Sequence, residues 1–218
     1  MTDYQMFEGQ RSRSFMRLEK IDLFSKFFFR EVKILKVNQN KTLEDAKMKA
    51  KEIAYSALFA ALTAVGAQIS IPIGEVPVTL QVLFVLLSGL ILGARLGFLS
   101  QAIYLLMGAI GLSVFAGFKG GFVYLYGPTG GYLIAFPVAA FLVGLISERY
   151  ENLKGYILGS LTGIGVIYLL GWLRLGFYFG GNFGKAFAVG VAPFVVIDLI
   201  KAGVAVVVAD RVKKSGVI

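Results

Sequence analysis

The 218-residue chain contains no cysteine and no histidine. That rules out disulfides, thiolate nucleophiles, Ser-His-Asp triads and metal sites built on His or Cys. Charge is also scarce: Asp, Glu, Lys and Arg make up 16% of the chain, against about 25% in an ordinary soluble domain. No phosphate-binding loop of the G-x-x-x-x-G-K-[ST] type is present. The nearest approach, FGGNFGKA, has Phe179 where the first glycine belongs and Ala186 where Ser or Thr belongs, so the chain is no ATPase. Nothing near the start reads as a cleavable signal peptide, because the FFF at 27–29 is short and flanked by Lys26 and Arg30.

What is abundant is apolar. Hydrophobic residues make up 57% of the chain and mean hydropathy is +0.75, well above a soluble composition. Residues 1–47 hold 10 of the 22 basic and 7 of the 13 acidic residues. The sequence therefore divides into a polar, basic extension, 1–47, and a hydrophobic domain, 48–218. Residues 15–36 can form a basic amphipathic helix on a membrane surface. Alternatively the extension is dispensable, since Met48 opens a natural basic lead-in to a first span. The net charge of +9 does not point to nucleic acid, because the basic residues are dispersed or border apolar runs and no nucleic-acid motif accompanies them.

A bilayer core takes about 20 apolar residues per helix. Six such spans can be drawn, at about 52–70, 79–93, 96–115, 130–147, 155–173 and 187–209, each bounded by Gly, Pro or charge. Six spans put both termini on one side. With the termini inside, the inner segments from Met48 onward carry Lys49, Lys51, Arg95, Arg149, Lys154, Arg211, Lys213 and Lys214. The outer loops carry Lys119, Arg174 and Lys185. Eight against three favours cytoplasmic termini. The expectation is an all-α, multi-pass protein of the cell membrane.

Small residues recur at four-residue spacing: Ala57/Ala61 and Ala60/Ala64 on the first span, and the pairs Gly93/Gly97, Gly127/Gly131 and Gly159/Gly163. Such pairs let helix backbones approach in lipid. The Ala-rich first span suits docking to another membrane protein. Asp198 and Lys201 stand out in the run PFVVIDLIKAGVAVVVAD, where each would cost about 2.5–3.5 kcal/mol at the centre of a lone membrane helix. Three residues apart, they share a face and offset part of that cost. An intramembrane ionisable pair usually marks a ligand or ion path. A carboxylate accepts and an ammonium donates, so the pair suits a group carrying both N–H and C=O. The alternative is an ion pair that merely neutralises itself. Gln81 and Tyr104 are further polar groups at membrane depth, and Tyr132 and Trp172 sit near outer ends. YGPTGGY makes an irregular turn, tolerated at that depth only when buried or lining a cavity.

Three ordered stretches, EVPVTLQVLFVLLSGLILGARLGFLSQAIYLLMGAIGLSVFAG, YGPTGGYLIAFPVAAFLVGLISE and APFVVIDLIKAGVAVVVADRV, resemble the BioY family. These are the biotin-specific S components of energy-coupling factor (ECF) transporters. The resemblance runs from about Ile53 to Val212. It implies the six-helix S-component fold, capture of biotin from outside, and no catalysis or cofactor. It further implies partnership with a T component and two ATPase subunits that use the ATP, with delivery by reorientation in the membrane. On this resemblance the Asp-x-x-Lys at Asp198 and Lys201 meets the polar head of biotin, whose cyclic urea offers N–H to the carboxylate and C=O to the ammonium. Gln81, Tyr104, Tyr132 and Trp172 complete the expected substrate site. Ala57, Ala60, Ala61 and Ala64 fall where the family docks on its T component. Two positions depart from the family pattern, Ser113 for a usual Pro and Ile197 for a usual Gly. Other readings are an S component for another vitamin, an intramembrane enzyme using the Asp/Lys pair, and a membrane assembly protein.

Overall fold

A computed structural model of the chain describes residues 49–72 and 74–216. The basic extension expected over 1–47 lies outside the described residues. Glu52–Ile218 form one compact unit. Among the described residues the order is a first helix α1 over residues 49–68, then β1 (Ser70–Ile71), β2 (Val78–Thr79), α2 (Gln81–Ala109), α3 (Val123–Tyr126), α4 (Gly130–Arg149), α5 (Leu153–Tyr178), α6 (Phe183–Gly190) and α7 (Val195–Lys214). The two strands pair antiparallel, Ser70 with Thr79 and Ile71 with Val78, and close the α1–α2 connection.

The helices are apolar on both inner and outer faces, and on α4 and α7 small residues gather on the inward side. On α4 the buried side carries Gly131, Ala135, Ala139, Ala140 and Gly144, while Ile134, Val138, Phe141 and Leu145 are exposed. On α7 the buried side carries Ala202, Ala205 and Ala209 with Asp198, Lys201 and Val206, and Val196, Ile200, Val204 and Val207 are exposed. Bulk outward and small residues inward is the pattern of helices packed in lipid, where close backbone approach replaces the hydrophobic drive.

The continuous α2 hides a reversal. Gly93 sits at φ 81° and ψ −176°, a left-handed backbone that suits glycine. A Cβ there would fall on Glu148 Oε1. A straight helix would hold Gln81 and Tyr104 about 34 Å apart at 1.5 Å per residue, yet their side chains bond at 2.7 Å. Ser88 likewise meets Gln101 at 3.2 Å. The legs 81–92 and 94–109 therefore run antiparallel, with Gly97 packed on Gly89. Glu148 of α4 accepts from Ala94 N at 2.9 Å and so supplies an acceptor to the new helix start.

The last expected span, 187–209, is divided. Helices α6 and α7 meet at a 50° bend across residues 191–194. Pro193 lacks an N–H and disfavours helix at the residue before it. Among the described residues, α2, α4 and α5 are each long and apolar enough to cross a membrane, and the bent α6–α7 pair makes a fourth. The six stretches expected from the sequence fall on α1, the two legs of α2, α4, α5 and the bent α6–α7 pair, of which three or four pass as spans by length and composition.

Candidate substrate site

The Pro193 break changes the setting of the central ion pair. Asp198 lies in the first turn of α7, at a fresh helix N-terminus whose dipole favours a carboxylate, rather than mid-helix. Lys201 Nζ donates to Asp198 Oδ1 at 2.7 Å, and both residues are buried, at 7% and 3% exposure. The second carboxylate oxygen is also engaged: Tyr168, from α5, donates its hydroxyl to Asp198 Oδ2 at 2.7 Å. An ammonium has three N–H groups. Only one of those of Lys201 finds a protein acceptor among the described residues, which leaves two for a ligand.

These three side chains lie at the base of a cavity of about 290 Å³, at the small end of the roughly 300–1,000 Å³ usual for small-molecule sites. Its walls are largely aromatic and aliphatic, with Phe115, Tyr124, Phe136, Phe194, Leu133 and Ile167 prominent. Exposed Glu75 and Lys119 stand at the rim. A polar base under apolar walls selects a molecule with a compact polar head and a hydrocarbon body.

Of the residues expected in the site, Asp198, Lys201, Tyr132 and Gln81 line the cavity. Tyr132 threads between helices: its hydroxyl donates to Gly190 O at 2.8 Å, and a Cβ at Gly171 would fall on its ring. It thereby ties α4 to the end of α6, just before the break. Gln81 accepts from Thr79 Oγ1 at 2.9 Å and donates to the Tyr104 hydroxyl at 2.7 Å, so its amide is held on both sides. Tyr104 does not line the cavity. It is wholly buried behind Gln81 and donates to Val114 O at 3.1 Å. Trp172 does not line it either: its indole donates to Phe183 O at 2.9 Å and stacks edgewise on the Phe183 ring, fastening α5 to α6. These two support the site without lining it. Sequence reasoning missed Tyr168, Thr79 and the aromatic walls.

The alanines of α1 divide. Ala57 and Ala61 are exposed and Ala64 is half-buried, but Ala60 is fully buried in the core. The docking set expected from the sequence is corrected accordingly. The stripe that held all four is wider than the exposed face, and Ala60 packs inward.

Lipid-type outer faces, a bent last helix pair and an ion pair lining a small cavity are those of a multi-pass membrane protein with a candidate small-molecule site. The model of the BioY family matches residues 39–216. A probable biotin transporter BioY of Pyrococcus horikoshii is 55% identical over 166 residues, covering 76% of this chain and 98% of that one. The biotin transporter BioY of Thermotoga maritima is 49% identical over 164 residues, covering 75% of this chain and 96% of its own length. A 2.1 Å crystal structure of the S-component for biotin from an ECF-type ABC transporter superposes with a TM-score of 0.72 at 30% identity, covering 77% of this chain and 93% of that one. The chain belongs to the BioY family. These relatives are named as transport proteins, which sets aside the intramembrane enzyme. The family match begins at residue 39, ahead of about Ile53, where the quoted motifs begin.

Proposed function

We propose that this chain is the biotin-binding S component of an ECF-type transporter. The observation that carries the reading is the buried Asp198–Lys201 pair, with Tyr168 on the free carboxylate oxygen, at the base of a cavity with apolar walls. A cyclic urea is complementary to that base: its N–H groups reach the remaining carboxylate lone pairs and its C=O takes the unused N–H of Lys201. The thioether ring and aliphatic tail suit Phe136, Ile167, Leu133 and Phe194. Similarity to proteins named as biotin transporters supports the same ligand.

In this reading residues 48–218 form six spans in the cell membrane with both termini cytoplasmic, and the cavity opens outward between the connections at 69–80 and 110–129. Biotin enters unmodified and is released inward when a T component and two ATPase subunits drive reorientation. The exposed Ala57 and Ala61 on α1 form part of the docking face. In this reading the chain's contribution is differential binding of the ligand, and its partners use the ATP.

The test is ligand identity. The full chain, purified in detergent from cells grown with biotin, should release biotin on denaturation, identified by mass spectrometry. Labelled biotin should be displaced by unlabelled biotin and not by riboflavin or thiamine. A different vitamin in the eluate, or displacement by those competitors, overturns the reading in favour of another S component.

A further inference from the structure

One wall of the cavity is a five-residue hairpin, residues 115–119. Phe115 and Lys119 exchange backbone bonds, Phe115 N to Lys119 O at 2.9 Å and Lys119 N to Phe115 O at 3.2 Å. Phe115, Ala116 and Lys119 line the cavity, and the Phe115 ring packs edgewise on Tyr104 at 5.8 Å. The turn is strained: Phe118 has φ 56°, and among the described residues it is the only non-glycine with positive φ. A bulky residue rarely adopts that backbone without something to hold it.

The holding group comes from another element. Gln68, in the last turn of α1, accepts from Phe118 N through Oε1 at 2.9 Å. Its Nε2 donates to Phe115 O at 3.2 Å, with Val114 O at 3.4 Å and Ala64 O of its own helix at 3.3 Å. One amide thus grips the first strand and the turn of the hairpin, across 46 to 50 residues of sequence, without lining the cavity itself. Val114 O is also the acceptor for Tyr104, which holds Gln81. The hairpin and the Gln81 wall are therefore braced at a shared carbonyl.

We propose that Gln68 is a positioning residue for ligand binding: by clamping the strained 115–119 hairpin to α1 it sets that wall of the cavity and so the residence time of the ligand. The ligand's identity rests on the biotin reading above; the clamp does not. A wall that is preorganised before binding spares the ligand the ordering of a loop. Losing it should show mainly in dissociation, where affinity differences within one site concentrate.

The experiment uses the full chain in detergent with Gln68→Ala and Gln68→Glu. Hydrogen–deuterium exchange, without added ligand, should show faster exchange of the 115–119 amides in Gln68→Ala and unchanged α4 and α5. Gln68→Glu keeps an acceptor for Phe118 N and should retain most protection of that amide. With labelled biotin, Gln68→Ala should dissociate about tenfold faster, the equivalent of one net hydrogen bond, with association changed little. Gln68→Glu should fall between. Hairpin exchange in Gln68→Ala equal to wild type overturns the clamp whatever the ligand. Altered exchange with an unchanged biotin dissociation rate overturns its role in binding. A wild-type chain that binds no biotin at all sinks the functional reading instead, and the exchange result still decides the clamp.

Discussion

Tyr168 on α5 and Asp198 on α7 meet at 2.7 Å, hydroxyl to carboxylate, so the acidic member of the ion pair is fixed by a helix other than its own. An i,i+3 pair alone can swing between rotamers. With Lys201 on one oxygen and Tyr168 on the other, the carboxylate is held in one orientation before any ligand arrives. Tyr168→Phe removes a hydrogen bond to a charged group, worth about 1.5–3 kcal/mol, and should weaken biotin binding by at least about tenfold. Because Tyr168 acts through Asp198, the same change should have little further effect in an Asp198→Asn background. Equilibrium binding to the four proteins of that cycle measures this; additive losses would refute action through Asp198.

Stability and binding should separate at the ion pair. Lys201→Ala leaves a buried carboxylate with Tyr168 alone, and Asp198→Asn leaves a buried ammonium without a counter-charge. Each should lower the melting temperature, since breaking a buried pair costs about 3–5 kcal/mol. The double variant Asp198→Asn/Lys201→Met, which buries no charge, should recover most of that stability while binding no biotin. Thermal unfolding in detergent and a binding assay report the two readouts separately. Normal binding by the single variants would remove both residues from the site.

The fold-back at Gly93 makes a sharper stability prediction. Gly93→Ala combines a backbone region essentially confined to glycine, costing about 1–3 kcal/mol for another residue, with displacement of the Glu148 carboxylate from Ala94 N. It should lower the melting temperature clearly. Gly165→Ala, whose added methyl meets nothing, should be close to neutral. Equal effects at the two positions would contradict the reversal.

The absence of cysteine makes the topology directly measurable. Single substitutions Lys185→Cys and Lys154→Cys place thiols at exposed positions on opposite sides of the proposed bundle. In intact cells a membrane-impermeant maleimide should label Lys185→Cys, and Lys154→Cys only after permeabilisation. The reverse pattern would invert the protein.

Partner docking separates the α1 alanines. Ala57→Leu with Ala61→Leu adds bulk to an exposed face and should spare biotin binding while preventing co-purification with the T component. Ala60→Leu adds bulk to a fully buried position and should destabilise the chain itself, overpacking costing about 1–3 kcal/mol. Retained co-purification of the double variant would move the docking face elsewhere.

Some of this was legible from sequence because the signal was local. Asp198 and Lys201 announce themselves as two charges in an apolar run, and the GARLG break between the second and third spans falls at the Gly93 reversal. The α6–α7 bend was equally local, in Pro193, yet a hydropathy window passes over one proline in an apolar run. Tyr168 was not legible. It lies 30 residues from the carboxylate it holds, in a helix where a tyrosine facing lipid and one facing a cavity have the same sequence surroundings. Trp172 and Tyr104 show the converse: an aromatic at the right depth has the chemistry of a site residue, and only packing reveals that its polar atom is committed to a backbone carbonyl or a neighbour. Ala60 was misplaced because spacing defines a stripe, whereas burial depends on which neighbours press against it.

The ion pair also bears on how the last helix enters the bilayer during synthesis. Asp198 and Lys201 are one turn apart on a single segment, so α7 carries its own counter-charge. The insertion machinery meets a local dipole in place of two isolated ions, and the helix needs no previously assembled partner to mask a net charge. Only after α5 packs alongside does Tyr168 reach the carboxylate. The counter-charge that eases partitioning thus lies within one helix, and the Tyr168 contact is completed only by packing between helices.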